Sequence, residues 1–514
     1  MMTTSPPCTV LVIGAGIMGA GIAQIAAQAG HGVRLFDARD NAATEAKTKL
    51  GATLAALAAK GKVRSDAVTA TLGRVQPIAA MEQARDAGLV VEAIVENLDA
   101  KRTLLRQIEA LVDSDCILAS NTSSISITAM ANGLQRPERL AGMHFFNPVP
   151  VMKLVEVISG LHTAPAVAEA LFALAGRWGK TPVHARSTPG FIVNRIARPY
   201  YGEAQALLHE RATTPAVLDA CLRAAGFRMG PCELIDLVGH DTNFAVTESV
   251  YQANFGDKRY QPSLLQREMV DGGLLGRKSG RGFYDYRNGV AAAPAFLSAG
   301  GEPVTIPPAA RVFVHGEGPV AEHWAQALAP VGVSFDRNRE SDWTGLEADG
   351  AQLRLTDGRP AARVSAETGV RNLAVNDLPM AGTAPGGALA FSISATASAA
   401  WAEQSGAWLR LAHFAPQRVG DAPGLVVART VAMLINEAAD AVQQGVCSQD
   451  AADAAMKLGL NFPAGPFEWL ARWDAGEVVR LLDYLDSQYR GERYRASPEL
   501  RQRAWSAAIV DAKP

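Results

Sequence analysis

Several things are scarce in this chain. Cysteine occurs five times in 514 residues, at positions 8, 116, 221, 232 and 447, with no Cys-x-x-Cys pair. The nine histidines are scattered, so no spacing suited to a metal cage is present and no metal is expected. No uninterrupted apolar run reaches the ~20 residues a bilayer requires, although 48% of the residues are hydrophobic and large cores are within reach. A net charge of −2 gives no electrostatic ground for nucleic acid or an anionic membrane as partner. The opening Met1-Met-Thr-Thr-Ser-Pro-Pro-Cys8 lacks the basic start and apolar core of a secretory signal. The expectation is a multidomain cytoplasmic enzyme.

What is present is concentrated at Val10-Leu-Val-Ile-Gly14-Ala-Gly16-Ile17-Met18-Gly19, an apolar strand running into a glycine turn and then a helix. Gly14 permits the turn, Gly16 allows backbone to approach a pyrophosphate, and Gly19 lets the helix pack on the sheet. The free N–H groups of the helix start, at Ile17 and Met18, face the phosphates. Gly32-Val-Arg-Leu-Phe-Asp37 reads as the second strand, and Asp37 stands where a carboxylate binds both ribose hydroxyls and repels a 2′-phosphate. NAD is therefore expected over NADP, with Arg39 leaving NADP open.

Alternating short strands and amphipathic helices over 8–186 predict a doubly wound Rossmann-like domain. A helical domain over 187–287 and an Ala/Pro/Gly-rich linker over 288–308 follow. The architecture then restarts, as a degenerate Rossmann-like domain over 309–415 and a second helical domain over 416–514. The fold class is thus α/β plus all-helical, followed by a shortened repeat of both. Three ordered echoes support it: Gly316-Glu-Gly318 of the opening turn, Pro423-Gly-Leu-Val-Val-Ala-Arg429 of Pro189-Gly-Phe-Ile-Val-Asn-Arg195, and Gly465-Pro-Phe-Glu468 of Gly230-Pro-Cys-Glu233. The second copy reads as disabled, because Ala428 replaces Asn194. His413-Phe414 resembles His144-Phe145, but it stands ten residues before its Pro-Gly signature rather than forty-five.

Gly14–Gly19, Val91-Glu-Ala-Ile-Val-Glu96-Asn97, Ser120-Asn-Thr-Ser123-Ser124, His144-Phe-Phe-Asn147-Pro148 and Pro189–Arg195 occur in the order found in the L-3-hydroxyacyl-CoA dehydrogenases, and the chain resembles that family. The resemblance is close over about residues 8–287, and the duplicated length resembles the bacterial enzymes acting on 3-hydroxyadipyl-CoA in phenylacetate breakdown. It implies NAD-dependent oxidation of a 3-hydroxyacyl-CoA to the 3-oxo product. The alternatives are 3-hydroxybutyryl-CoA as substrate, or a non-catalytic NAD-binding protein on the same scaffold. The resemblance assigns His144 as general base, Glu156 as the carboxylate holding it, and Ser123 and Asn194 as groups orienting the substrate. It further implies Glu96, Lys101, Ser123, Asn147 and Lys278 beside the cofactor, Thr53 and Lys60 at coenzyme A, and a homodimer formed through the helical domains. For a diacid chain, Arg195, Arg198 and Arg228 are the available cations. On the residues alone Ser123 reads equally as a helix N-cap, Glu156 as a solvent-facing strand residue and Lys60 as a solvated helix end.

Overall fold

The run Val10–Ile13 is buried on both faces, as expected of a central strand in a parallel sheet, where each buried aliphatic side chain stabilises by ~1.5–3 kcal/mol. In the computed structural model, which describes residues 8–288, 307–380 and 386–511, it belongs to an eight-stranded sheet. The strands are β1 (Thr9–Ile13), β2 (Gly32–Phe36), β3 (Val75–Pro77), β4 (Ala87–Glu92), β5 (Ile117–Ser120), β6 (Leu140–Phe145), β7 (Leu154–Ser159) and β8 (Thr181–Arg186). Their order is β3-β2-β1-β4-β5-β6-β7-β8, with only β6 and β7 antiparallel. The first five positions are those of a dinucleotide-binding sheet, with β1 at the point where the strand order reverses.

The second sheet has seven strands: β9 (Val312–His315), β10 (Asp336–Asn338), β11 (Gly345–Ala348), β12 (Ala351–Leu355), β13 (Leu373–Asn376), β14 (Ala388–Ile393) and β15 (Ala415–Arg418). Its order is β10-β9-β11-β12-β13-β14-β15. From β12 to β15 the pairing runs parallel, antiparallel, parallel, which repeats the run from β5 to β8. The strand matching β6 is therefore β13, and it ends at Asn376, with Asp377 next in the chain. The resemblance of His413-Phe414 to His144-Phe145 fails in three dimensions. His413 is exposed, takes a left-handed φ of 63° and precedes β15. The expected linker at 288–308 lies, but for its ends, outside the described residues.

The chain divides into two compact units, residues 1–195 with 441–460, and residues 196–440 with 461–514. Helix Gln449–Leu460 thus belongs to the first unit, where it packs on β7 and β8. Arg186 N–H bonds to Val446 O at 2.9 Å and Arg195 Nη1 to Gln444 Oε1 at 2.9 Å. In the second unit helix Pro215–Ala224, which stands 234 residues earlier in the sequence, packs on β14. Each sheet therefore carries the helix that belongs by sequence to the other copy.

The helical parts of the second unit are joined by buried charge. Glu203 accepts from Arg429 Nε at 2.6 Å, Arg493 Nη2 at 2.8 Å and Tyr494 Oη at 3.0 Å. The same residue types recur 234 positions apart: Glu437 accepts from Arg259 Nη1 at 3.2 Å and Tyr260 Oη at 2.6 Å. Burial pushes the Glu203 carboxyl up, but Arg493 and Arg429 more than offset this and hold it below the usual range.

Candidate active site

At the end of β1, Gly14 has φ 101°, and a Cβ there would stand 2.4 Å from Ala93 O. A Cβ on Gly19 would meet Gly14 O at 1.7 Å, so the helix packs against the turn only as glycine. A Cβ on Gly16 would meet nothing within 4 Å, which leaves the approach to the backbone open. Helix Ile17–Gln28 starts at Gly16 without a side-chain cap, so its first N–H groups remain available to an anion. Asp37 Oδ2 accepts from Ala15 N–H at 2.8 Å and Oδ1 from Arg39 N–H at 3.0 Å. Burial raises its carboxyl, and the hydrogen bonds from Arg39 and Ala15 outweigh that and hold it below the usual range. An open glycine, an uncapped helix start and an ionised aspartate fit a dinucleotide.

A cavity of about 550 Å³ adjoins this turn, lined by Gly16, Ile17, Arg39, Lys49, Thr53 and Asn147 among others. Thr53, expected at coenzyme A, is in that lining. Lys60 caps the end of helix Ala42–Ala59, outside that lining, whereas Lys49 is in it. Thr53 Oγ1 bonds to Lys49 O at 2.9 Å, and their spacing of four on one helix was the available sequence signal.

The chain returns after β6 to make β7, and the antiparallel register sets His144 directly opposite Glu156. His144 Nδ1 lies 2.5 Å from Glu156 Oε2, with the imidazole 7% exposed and the carboxylate fully buried. Donating Nδ1–H to the carboxylate leaves Nε2 as the basic nitrogen. The other oxygen, Oε1, accepts from Ile192 N–H at 2.9 Å and Val193 N–H at 3.0 Å, at the turn that starts the Asn194 segment. Glu156 is thus no solvent-facing strand residue. In the second copy Asp377 accepts from Val426, Val427 and Ala428 N–H at 3.0, 2.7 and 2.9 Å, positions that include the counterparts of Ile192 and Val193. In that copy the carboxylate under the turn comes from the end of the strand matching β6 rather than β7, and among the described residues there is no imidazole beside it.

Asn194 Nδ2 donates to Ser123 O at 3.4 Å, which joins the two expected substrate-orienting residues. Ser123 is not an N-cap; Ser126 caps the following helix, accepting from Ala129 N–H. The Ser123 loop is instead fixed by Glu96, whose Oε1 accepts from Thr122 Oγ1 at 2.7 Å and from Ser123 and Ser124 N–H at 2.8 and 3.0 Å. Burial raises the Glu96 carboxyl, while Thr122 and Lys101 more than offset it and hold it low. Lys101, 1% exposed, spans Glu92 Oε1 at 2.6 Å and Glu96 Oε2 at 3.4 Å. Glu92 also accepts from Ser120 Oγ at 2.6 Å. Glu92 and Ser120 were missed as site residues, though both stand inside the sequence motifs.

Lys180 is a further one: its buried ammonium donates to Val149 O and to Met152 O, the latter at 2.8 Å, anchoring the loop that carries exposed Asn147. In the second unit Lys278 pairs with Asp241 at 2.5 Å. Arg198, also there, is buried, donates to Thr247 at 3.0 Å and lies over the Tyr201 ring, while Arg228 is exposed.

A phosphate cradle beside an imidazole–carboxylate pair is the equipment of a nicotinamide-dependent dehydrogenase that removes a hydroxyl proton. The family description "3-hydroxyacyl-CoA dehydrogenase, NAD binding domain" matches residues 9–188, and "3-hydroxyacyl-CoA dehydrogenase, C-terminal domain" matches twice, at 190–286 and 424–508. A third, "3-hydroxybutyryl-CoA dehydrogenase reduced Rossmann-fold domain", matches 353–423. The chain is 42% identical over 503 residues to the 3-hydroxyadipyl-CoA dehydrogenase of Escherichia coli strain K12, covering 96% of this chain and 97% of that one. It is 43% identical over 278 residues to a probable 3-hydroxybutyryl-CoA dehydrogenase of Bacillus subtilis, covering 54% of this chain and 96% of the relative. The crystal structure of a 3-hydroxybutyryl-CoA dehydrogenase from Escherichia coli K12 superposes with a TM-score of 0.89 at 40% identity, covering 98% of this chain and all of the other. This chain belongs to the 3-hydroxyacyl-CoA dehydrogenase family, and its cofactor is NAD.

Proposed function

We propose that the chain oxidises the C3 hydroxyl of (S)-3-hydroxyadipyl-CoA to 3-oxoadipyl-CoA, with His144 as the base. The observation that carries the chemistry is the double engagement of Glu156, which holds His144 with one oxygen and the start of the Asn194 segment with the other. His144 Nε2 takes the hydroxyl proton, and Glu156 stabilises the imidazolium that forms. Asn194 and Ser123, linked through the Ser123 carbonyl, orient the C3 oxygen and the thioester carbonyl. Bound NAD would supply the acceptor for the C3 hydride. Gly14, Gly16, Ile17, Met18, Gly19 and Asp37 would hold it, Glu96 and Lys101 fix the Ser123 loop, and Asn147 lines the adjoining cavity. Thr53, which the resemblance puts at coenzyme A, lines that cavity together with Lys49, whose ammonium would pair with a coenzyme A phosphate.

Near full-length similarity to the Escherichia coli 3-hydroxyadipyl-CoA dehydrogenase supports the six-carbon diacid. The equally long Escherichia coli crystal structure bears the name of a 3-hydroxybutyryl-CoA dehydrogenase, which favours the four-carbon thioester as a second reading. The test is NADH formation from both thioesters, with His144→Ala alongside. Preference for the diacid, with turnover reduced by ~10²–10⁴ in the variant, supports the proposal; preference for the four-carbon substrate replaces it with the second reading. The absence of turnover with either, while NAD still binds, refutes both.

A further inference from the structure

The second copy has lost its imidazole but keeps a cavity at the same end of its sheet. β12 and β13 are parallel, and their carboxyl ends match those of β5 and β6, which carry Ser123 and His144 in the first copy. Antiparallel β11 brings Trp343 and Thr344 to that end. The cavity measures about 80 Å³ and is closed from one side by Leu481 of helix Ala475–Tyr489. Ligands of open α/β sheets bind outside the carboxyl ends of the strands.

One group in its wall is unusual. Arg354 is 9% exposed, and its guanidinium has no carboxylate within ion-pair distance among the described residues. Its Nε and Nη2 both donate to a neutral amide oxygen, Gln352 Oε1, at 2.8 and 2.5 Å. Gln352 cannot turn away, because its Nε2 is bound to Glu347 Oε2 at 2.9 Å. The guanidinium carbon lies 4.3 Å from the Trp343 ring centroid, and Trp343 in turn stacks on His315 at 4.0 Å. His315 Nε2 closes the ring of contacts at 3.5 Å from Glu347. The fork is held rigidly from two sides, with Nη1 left over. A buried cation so fixed has an amide as its direct partner, while the carboxylates of Asp342, Asp357 and Glu347 act on it only from beyond ion-pair distance. The neighbouring Arg359 differs, being already paired with Asp357 and Glu367.

We infer that this cavity is a second, non-catalytic binding site that takes a short aliphatic carboxylate, with Arg354 Nη1 receiving the carboxylate head. The body of the ligand is argued from one part of the wall, where Leu355, Val364, Val375 and Leu481 are aliphatic; Asp342, Asp357 and Glu477 line the remainder, with Asp357 already paired to Arg359. The aliphatic part accepts a hydrocarbon chain, and the neighbouring carboxylates disfavour a more highly charged anion such as phosphate.

The test is calorimetric titration of the full chain with butyrate and, separately, with inorganic phosphate. Wild type binds butyrate at a site that survives Asn194→Ala, which places it outside the first copy's machinery. Arg354→Gln weakens it by roughly tenfold or more, since a hydrogen bond to a charged partner is lost. Arg354→Lys, which keeps the charge and loses the fork, weakens it less and decides the matter if the Gln variant does not fold. Dehydrogenase turnover by the first copy serves as the folding control in both. No butyrate binding, butyrate binding indifferent to both Arg354 variants, or phosphate binding as tightly as butyrate overturns the inference.

Discussion

Glu156→Gln separates the two tasks of one carboxylate. The glutamine oxygen can keep the hydrogen bonds from Ile192 and Val193 N–H, which now reach a neutral acceptor and lose about half of their ~1.5–3 kcal/mol strength. Its NH2 group must then face His144 Nδ1, the atom now 2.5 Å from Oε2. Imidazole answers by presenting Nδ1 as acceptor and moving its proton to Nε2, the nitrogen that has to be basic. The expected outcome is a fall in kcat of ~10³–10⁴, the scale of a wrong-tautomer defect in a His–carboxylate pair, with destabilisation of only about 1–3 kcal/mol and little change in NAD affinity. Glu156→Ala removes both acceptors, leaves two buried N–H groups unpaired and costs about 2–6 kcal/mol. Stopped-flow NADH formation, urea unfolding and NAD titration on the two variants make the comparison. A Gln variant within threefold of wild-type kcat, at an assay precision of about 0.6 kcal/mol in barrier height, would refute the tautomer reasoning.

Three further outcomes follow from the geometry. Asp37→Ser removes the carboxylate that disfavours a 2′-phosphate and leaves Arg39 beside it, so the ratio of kcat/KM for NADP to that for NAD should rise by at least ~tenfold; an unchanged ratio rejects the assignment of Asp37. Burial, then the neighbouring Lys153, pulls Lys180 down to about 8 from its ordinary 10.5. The native state then holds fewer protons than the unfolded one between these values, so stability relative to Lys180→Met should be flat below pH 8 and rise with pH above it; melting curves showing a fall there contradict the linkage. Glu203→Gln leaves Arg493 beside a neutral amide and Arg429 with only Glu210, and should cost about 3–5 kcal/mol in chemical unfolding; a loss under 1 kcal/mol, the range of exposed pairs, would show the network to be solvated.

Legibility in the sequence depended on how local each feature is. The glycine turn is written in six consecutive residues, and its geometry follows from Gly14 and Gly19 alone. The His144–Glu156 contact was accessible because twelve residues suffice for one antiparallel return. Lys49 joins Thr53 in the cavity lining and Lys60 does not, since which side of helix Ala42–Ala59 faces the cavity is decided by packing. The spacing of His413-Phe414 already told against its match to His144-Phe145, because a shared dipeptide carries no information about strand position, and strand pairing puts Asp377 at the matching end. The Glu203 and Glu437 networks join residues 290 and 178 positions apart, beyond the reach of any periodicity, although the repeated Arg259-Tyr260 and Arg493-Tyr494 were visible in the duplicated sequence.

The exchange of helices has a consequence during synthesis. The first sheet is complete by Arg186, but helix Gln449–Leu460, which covers β7 and β8, is made more than 250 residues later. At ~5–20 residues per second that is a wait of roughly 13–50 s, during which apolar edge surface stands bare on a nascent chain. Two such chains emerging side by side can each accept the other's helix, using contacts identical to those made within one finished chain. Crowded translation should therefore generate interlocked pairs, and slow dilution should not.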